Sequence, residues 1–253
     1  MRKLIKYELR KDMILYIIVF SVIMMLEFYL LGSILAKSEA NIVISMLLFI
    51  MCGSSAILFV EVLGVVSFAR ELGSKYSYMT FMTPNSTFKI VGAKYITLLI
   101  ITTLLTAIFA VSAVADVRLA LYKYDSVNDF IEMVDFILEM GQTSISEIVL
   151  GFAISFLIIW LDILTTVSFA YLAITLSATI LSNKRGKGWL AVGLFIGIRI
   201  ITSVIKNFIP VFEFGDTFLL MLAGQWMTFV FEILLVVGTY FGVSIMLDKK
   251  VSL

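Results

Sequence analysis

Five ionisable residues stand inside long apolar runs: Glu27, Glu61, Asp162, Arg199 and Glu232. At the centre of a bilayer each costs at least about 2.5 kcal/mol unless it faces other helices, a water-filled cavity or an opposite charge. Side chains of these types handle charge: they pair, hold protons or line a route for a polar passenger. One arginine cannot neutralise four carboxylates at once. Arg199 and Asp162 both fall near the middle of their runs, so the expected pair is Arg199–Asp162. Glu27, Glu61 and Glu232 are then neutral, hydrated or bonded to hydroxyls such as those of Ser55 or Thr228. Two uses stay open for the set: polar adhesion between helices, or the lining of a substrate path.

Covalent catalysis finds no machinery here. The chain has no histidine, which removes the commonest general base and metal ligand together. Its single cysteine, Cys52, lies in an apolar run, reads as a small packing residue and excludes an internal disulfide. No GxxxxGK[ST] phosphate loop occurs, and NKRGKG at Asn183–Gly188 lacks both the spacing and the hydroxyl residue. No catalytic residue, metal site or cofactor is expected in the chain itself, which reads as a conduit and not an enzyme. A net charge of +1 leaves no electrostatic footprint for nucleic acid. No internal repeat is evident, which argues against an inverted-repeat secondary transporter.

The elements that must position these charges are membrane helices. The chain is 61% hydrophobic and 15% charged over 253 residues, with a mean hydropathy of +1.09. A soluble domain carries about a quarter charged residues. A span needs about 20 apolar residues, and six segments qualify: Met13–Ala36, Asn41–Phe68, Ala93–Ala115, Ile148–Leu181, Trp189–Phe208 and Phe218–Leu247. The fourth exceeds a bilayer's thickness and must tilt, break or project. The first is too long for a cleaved leader. The expected fold is therefore an all-α integral membrane protein, with residues 1–253 forming a single transmembrane domain.

Basic residues set its orientation. Most of the 19 gather at the amino end (Arg2, Lys3, Lys6, Arg10, Lys11), between spans two and three (Arg70, Lys75, Lys89, Lys94), between four and five (Lys184, Arg185, Lys187), and in the tail (Lys249, Lys250). Lys37, Arg118, Lys123 and Lys206 fall on the other side. Both termini are expected in the cytoplasm. At the amino end, Arg2, Lys3, Lys6 and Arg10 share one helical face and Met1, Leu4, Ile5 and Leu9 the other, which fits an interfacial helix on anionic lipid or a plain cytoplasmic anchor. The outer insertion, 116–147, spaces Val127, Phe130, Ile131, Val134, Ile137 and Leu138 helically against Asp125, Asp129, Glu132 and Glu139. It reads as an acidic amphipathic helix, either a solvated cap or a vestibule for a cationic passenger. Gly193 and Gly197 in GLFIG, and Gly238 and Gly242 in GTYFG, are small residues four apart that permit close helix packing within or between chains.

The connection FARELGSKYSYMTFMTPNSTFKIVGAKY, residues 68–95, is the polar exception. Its first half continues helically and breaks before Pro84; Asn85, Ser86 and Thr87 can cap the next helix. Tyr76, Tyr78, Met79, Phe81 and Met82 crowd aromatic and sulfur side chains onto a short element, which favours a protein partner over water. An interfacial helix resting on lipid is the plainer alternative.

Glu71, Gly73, the aromatic and methionine run, TPNS at Thr83–Ser86 and the GxK of Gly92 and Lys94 resemble the coupling segment of ABC-2 type permeases. The amino-terminal basic helix, six spans and charged tail LDKKVSL are similar too. The size resembles small Firmicutes-type permeases for amphipathic peptides, the phenol-soluble-modulin exporters being the nearest kind. The resemblance implies a dimer of permease chains, homodimeric or heterodimeric, each seated on a separately encoded ATPase subunit that binds ATP and Mg. It implies that Glu71, Gly73, Tyr76, Tyr78, Met79, Phe81, Met82 and Pro84 form a cytoplasmic coupling helix. It also implies dimerisation through the first and fifth spans and a bacterial plasma membrane location. Family members often carry a re-entrant hairpin between spans five and six, whereas here Lys206–Thr217 is short and turns around Pro210. The leading expectation is an ATP-driven exporter subunit for hydrophobic or amphipathic molecules, plausibly peptides. The alternatives are a proton-coupled secondary transporter using Glu61, Asp162 and Arg199, and a membrane anchor for a cytoplasmic complex.

Overall fold

A computed structural model of the chain describes residues 1–73, 86–124, 145–180, 186–210, 212 and 224–251. Among them there are seven helices and no strand: α1 (Arg2–Lys11), α2 (Met13–Leu35), α3 (Glu39–Gly73), α4 (Thr87–Tyr124), α5 (Ile145–Ile180), α6 (Lys187–Asn207) and α7 (Trp226–Val251). Helices α2 to α7 are the six that are long and apolar enough to cross a membrane. The protein is thus an all-helical, multi-pass membrane protein, with the six spans read from the sequence.

Boundaries differ from hydropathy in an instructive way. Helices α3 and α4 have 35 and 38 residues, well beyond the expected 41–68 and 93–115. The polar flanks ARELG and DVRLALYKY extend them, because Arg, Glu, Leu, Ala and Lys form helix readily outside the bilayer. Hydropathy reports the hydrocarbon part of a helix, not the helix. The fourth span is one unbroken helix, α5, of 36 residues, so it exceeds the bilayer without breaking. Helix α1 is separated from α2 at Asp12, whose φ of −108° and ψ of 13° leave the helical region. The last helix is described from Trp226, and the expected 218–223 portion lies outside the described residues, as do the acidic insertion from Asp125 to Glu139 and the corner from Tyr76 to Pro84.

Two turns have clear local causes. Ser86 does begin α4, its carbonyl accepting the amides of Lys89 at 2.9 Å and Ile90 at 3.3 Å. Gly186 precedes α6 with φ of +121°, a conformation that only glycine adopts without strain, and its carbonyl accepts the amide of Leu190. That is the structural role of the second glycine-bearing half of NKRGKG.

The chain forms two compact units, Met1–Leu63 with Ile96–Glu139, and Gly64–Tyr95 with Met140–Leu253. Helices α3 and α4 contribute to both. In the first unit Ile23, Leu30, Phe49, Val60 and Leu105 are buried. Ser33 on α2 and Ser45 on α3 join their hydroxyls at 2.9 Å in the interior. Gly53 lets the ring of Phe109 lie against the α3 backbone, and a Cβ there would meet Phe109 Cζ at 2.3 Å. In the second unit α5 packs on α6 and α7. An aromatic core joins Phe68 to Tyr171 (centroids 4.2 Å), Tyr171 to Tyr95 (5.3 Å) and Tyr95 to Tyr240 (5.9 Å). Tyr95 donates its hydroxyl to Ser168 at 2.9 Å, and Tyr240 donates to the Phe88 carbonyl at 2.9 Å, so these rings bring no unsatisfied polar tip inside.

Candidate functional site

The second unit gathers four charges from three helices. Arg199 on α6 reaches Asp162 on α5, Nη1 to Oδ1 at 3.5 Å, as the sequence led us to expect. Lys206, also on α6, approaches the same Oδ1 at 3.8 Å. Lys206 also forms an ion pair with Glu232 on α7. Arg199 and Lys206 are seven residues apart, two helical turns, and so share a face of α6. Two cations and two carboxylates alternate, and each carboxylate has a cation in reach. Glu232 is 6% exposed and depends on Lys206; Asp162 is 49% exposed and Arg199 39%.

That exposure occurs at membrane depth. At 1.5 Å per residue, Asp162 lies about 9 Å inside the candidate span Phe156–Ile180, and Arg199 about 12 Å inside the end of α6. Glu232 lies about 9 Å inside the start of α7. The start of α5, the end of α6 and the start of α7 fall on one side if each helix crosses once. Half-exposed charges at such depth require water or a polar guest. The structure supplies the room: a cavity of about 340 Å³ is lined by Asp162, Arg199, Thr202, Ser203 and Lys206. A second cavity, of about 260 Å³, is apolar and lined by Leu157, Ile158, Trp226, Phe229 and Glu232 among others. The network thus separates a polar hollow from a greasy one, with Lys206 and Glu232 at the divide. Such a site can accept a molecule that is apolar at one end and charged at the other.

The remaining expected residues are placed elsewhere. Glu27 lies in the first unit, buried, and accepts a hydrogen bond from Ser112 on α4. Ser55 instead donates to the Met51 carbonyl of its own helix at 2.7 Å. Glu61 is half-buried on α3 in the same unit. Thr228 borders the apolar cavity together with Glu232, whose partner is Lys206 and not a hydroxyl. Of the five charges first singled out, three therefore converge.

Glu71, expected to serve coupling, lies in the last turn of α3. It is buried and paired with Lys94 of α4, Oε2 to Nζ at 2.8 Å, with side chains 8% and 4% exposed. Gly73 is the last residue of α3. The other coupling residues, Tyr76, Tyr78, Met79, Phe81, Met82 and Pro84, lie outside the described residues. Beside the pair, Thr87 donates to Asp248 at 3.2 Å, tying the start of α4 to the last turns of α7.

The glycine motifs divide. A Cβ at Gly193, Gly197 or Gly238 would meet nothing within 4 Å, whereas at Gly242 it would touch Leu172 Cδ1 at 3.9 Å. The two glycines of GLFIG thus approach no described residue of another helix, and α6 carries exposed Val192, Ile196, Ile200 and Val204.

Sequence reasoning missed Lys206, placed in a loop, and Asp116, placed one residue beyond a span. The seven-residue step from Arg199 to Lys206 was the available signal. Comparison with protein-family models, curated proteins and solved structures found no match for this chain.

Proposed function

We propose that the chain is the membrane permease subunit of an ATP-driven exporter of hydrophobic or amphipathic molecules, with ATP hydrolysed by a separate subunit. The observation that carries this reading is the amphiphilic site of the second unit, where an apolar cavity adjoins a hollow lined by Asp162, Arg199 and Lys206. An apolar passenger group fits the first. A cationic group can compete with Arg199 for Asp162, because that bond is long and half-exposed. An anionic group can bridge Arg199 and Lys206.

The resemblance of the 68–95 segment to the coupling segment of ABC-2 type permeases supports the energy source. The buried Glu71–Lys94 pair supports it further, by fixing α3 to α4 at the base of that corner. A push on the corner would then be transmitted along two helices held as one, each of which runs into both units. The expected assembly is two permease chains and two ATPase subunits in a bacterial plasma membrane, with both termini cytoplasmic and α1 on anionic lipid.

The test uses inside-out vesicles from cells making the chain with its native neighbours, and a fluorescent cationic amphipathic helical peptide as probe. Uptake should require ATP, resist a protonophore, and fall at least tenfold in Asp162→Asn. Uptake driven by a proton gradient without ATP would contradict the reading.

A further inference from the structure

The charges of the second unit are paired loosely. Arg199 carries five N–H donors, and among the described residues its one partner is Asp162, at 3.5 Å. A charge-assisted N–H···O bond closes to about 2.7–2.9 Å. The Asp162 carboxylate has no nearer cation, since Lys206 stands at 3.8 Å and is held by Glu232. Asp162 and Arg199 are half-exposed and face one hollow of about 340 Å³, which Ile200 and Ser203 also line. Unused donors and a poorly met carboxylate thus look into the same space.

Two cations and two carboxylates sum to zero. A guest with a net charge would leave that charge uncompensated at membrane depth, which is costly; a guest bearing one positive and one negative group would not. The site also sets its opposite charges side by side, both cations lying within 3.8 Å of the same Asp162 oxygen. A guest anion held by Arg199 and Lys206 therefore brings a neighbouring guest cation against Asp162. A phosphate has oxygens enough for both cations and for the hydroxyl of Ser203, which is exposed. The surroundings are apolar. Beyond the Lys206–Glu232 pair lies the cavity of about 260 Å³ lined by Leu157, Trp226 and Phe229. At the rim of the polar hollow, Ile200 is exposed, as is Ile196 one turn away, on the least buried of the candidate spans.

We infer that this site binds a phospholipid whose head carries an ammonium group close to its phosphate, the phosphate bridging Arg199 and Lys206, the ammonium on Asp162 and one acyl chain in the apolar cavity. The inference rests on the reading of this site as one for an amphiphile and narrows it to a zwitterionic lipid; it needs no ATPase.

The full chain, purified in detergent, is titrated with phosphatidylethanolamine, phosphatidylglycerol and free phosphoethanolamine, and bound molecules are counted by native mass spectrometry. One phosphatidylethanolamine should bind per chain, at least tenfold tighter than either of the others. Asp162→Asn should abolish the preference by weakening phosphatidylethanolamine while phosphatidylglycerol binds as well as before or better. Equal binding of the two lipids, binding of neither, or a preference that survives in Asp162→Asn would overturn the inference. Phosphoethanolamine bound as tightly as the lipid would overturn it too, by making the head alone the ligand. If Asp162→Asn fails to fold, wild type decides: N-acetylating the lipid amine should weaken binding at least tenfold, and unchanged binding refutes the ammonium contact. The assay contains no ATPase, so a failure of ATP-dependent peptide uptake leaves its result standing, and a loss of lipid preference leaves ATP-dependent uptake standing.

Discussion

Breaking the Glu71–Lys94 pair should be costly in one direction and nearly free in another. The oxygen and nitrogen are 2.8 Å apart with side chains 8% and 4% exposed. At an effective dielectric of about 20, Coulomb attraction at that distance is about 6 kcal/mol before desolvation is subtracted. Removing one partner takes a buried charge out of its ion pair, which costs up to about 3–5 kcal/mol. Replacing both by apolar groups of similar volume removes attraction and desolvation together, and is often neutral. Lys94→Met should therefore destabilise by up to about 3–5 kcal/mol, Glu71→Gln by less because an amide remains a hydrogen-bonding group, and Glu71→Leu with Lys94→Met by about 1 kcal/mol or less. The assay is thermal unfolding of the purified chain in detergent, run as a double-mutant cycle. A coupling energy above about 2 kcal/mol supports the pair. Additive losses would show that each residue is held by other contacts and that the corner is not anchored through them. A consequence follows for function: Glu71 variants that fail to transport need the apolar double variant as control, since instability alone would silence the single one.

Lys206→Met should destabilise more than Arg199→Ala, because Lys206 serves two carboxylates and leaves Glu232 buried without its ion-pair partner; adding Glu232→Gln should recover at least half of the loss in melting temperature. Arg199→Ala should be partly rescued by Asp162→Asn, and absence of rescue would break that pairing. Gly53→Ala should cost about 1–3 kcal/mol through overpacking against Phe109, with recovery in Gly53→Ala/Phe109→Leu measured by the same unfolding assay. Gly193→Leu with Gly197→Leu should leave the unfolding of the isolated chain unchanged, since nothing lies within 4 Å, yet weaken association between chains in a crosslinking assay. Unchanged association would assign that face to lipid.

The six spans and the Arg199–Asp162 pair were legible because each rests on information contained in one segment or in the scarcity of a residue type. Lys206 was not. It stands at the edge of an apolar run, where hydropathy cannot tell a helix's last turn from a loop, and only the neighbouring α5 and α7 reveal its two partners. Asp116 escaped for the same reason, since α4 continues past the apolar run that marked it. The partner of Glu71 was hidden in another way. A carboxylate at a span's end looks exposed in sequence, and its burial depends on Lys94, whose helix lies across a connection that periodicity cannot close. Partners are a property of tertiary adjacency, and a single sequence carries only the faces.

The central claim is that a separate ATPase drives this chain, and the most direct measurement is site-specific photocrosslinking in native membranes. A photoreactive residue at Tyr78 or Phe81 is illuminated and the captured protein is identified by mass spectrometry. Capture of an ABC-type nucleotide-binding subunit, at least tenfold weaker when Tyr76 and Met82 are changed to Ser, is the predicted result. Capture of lipid or of the chain alone would contradict the account.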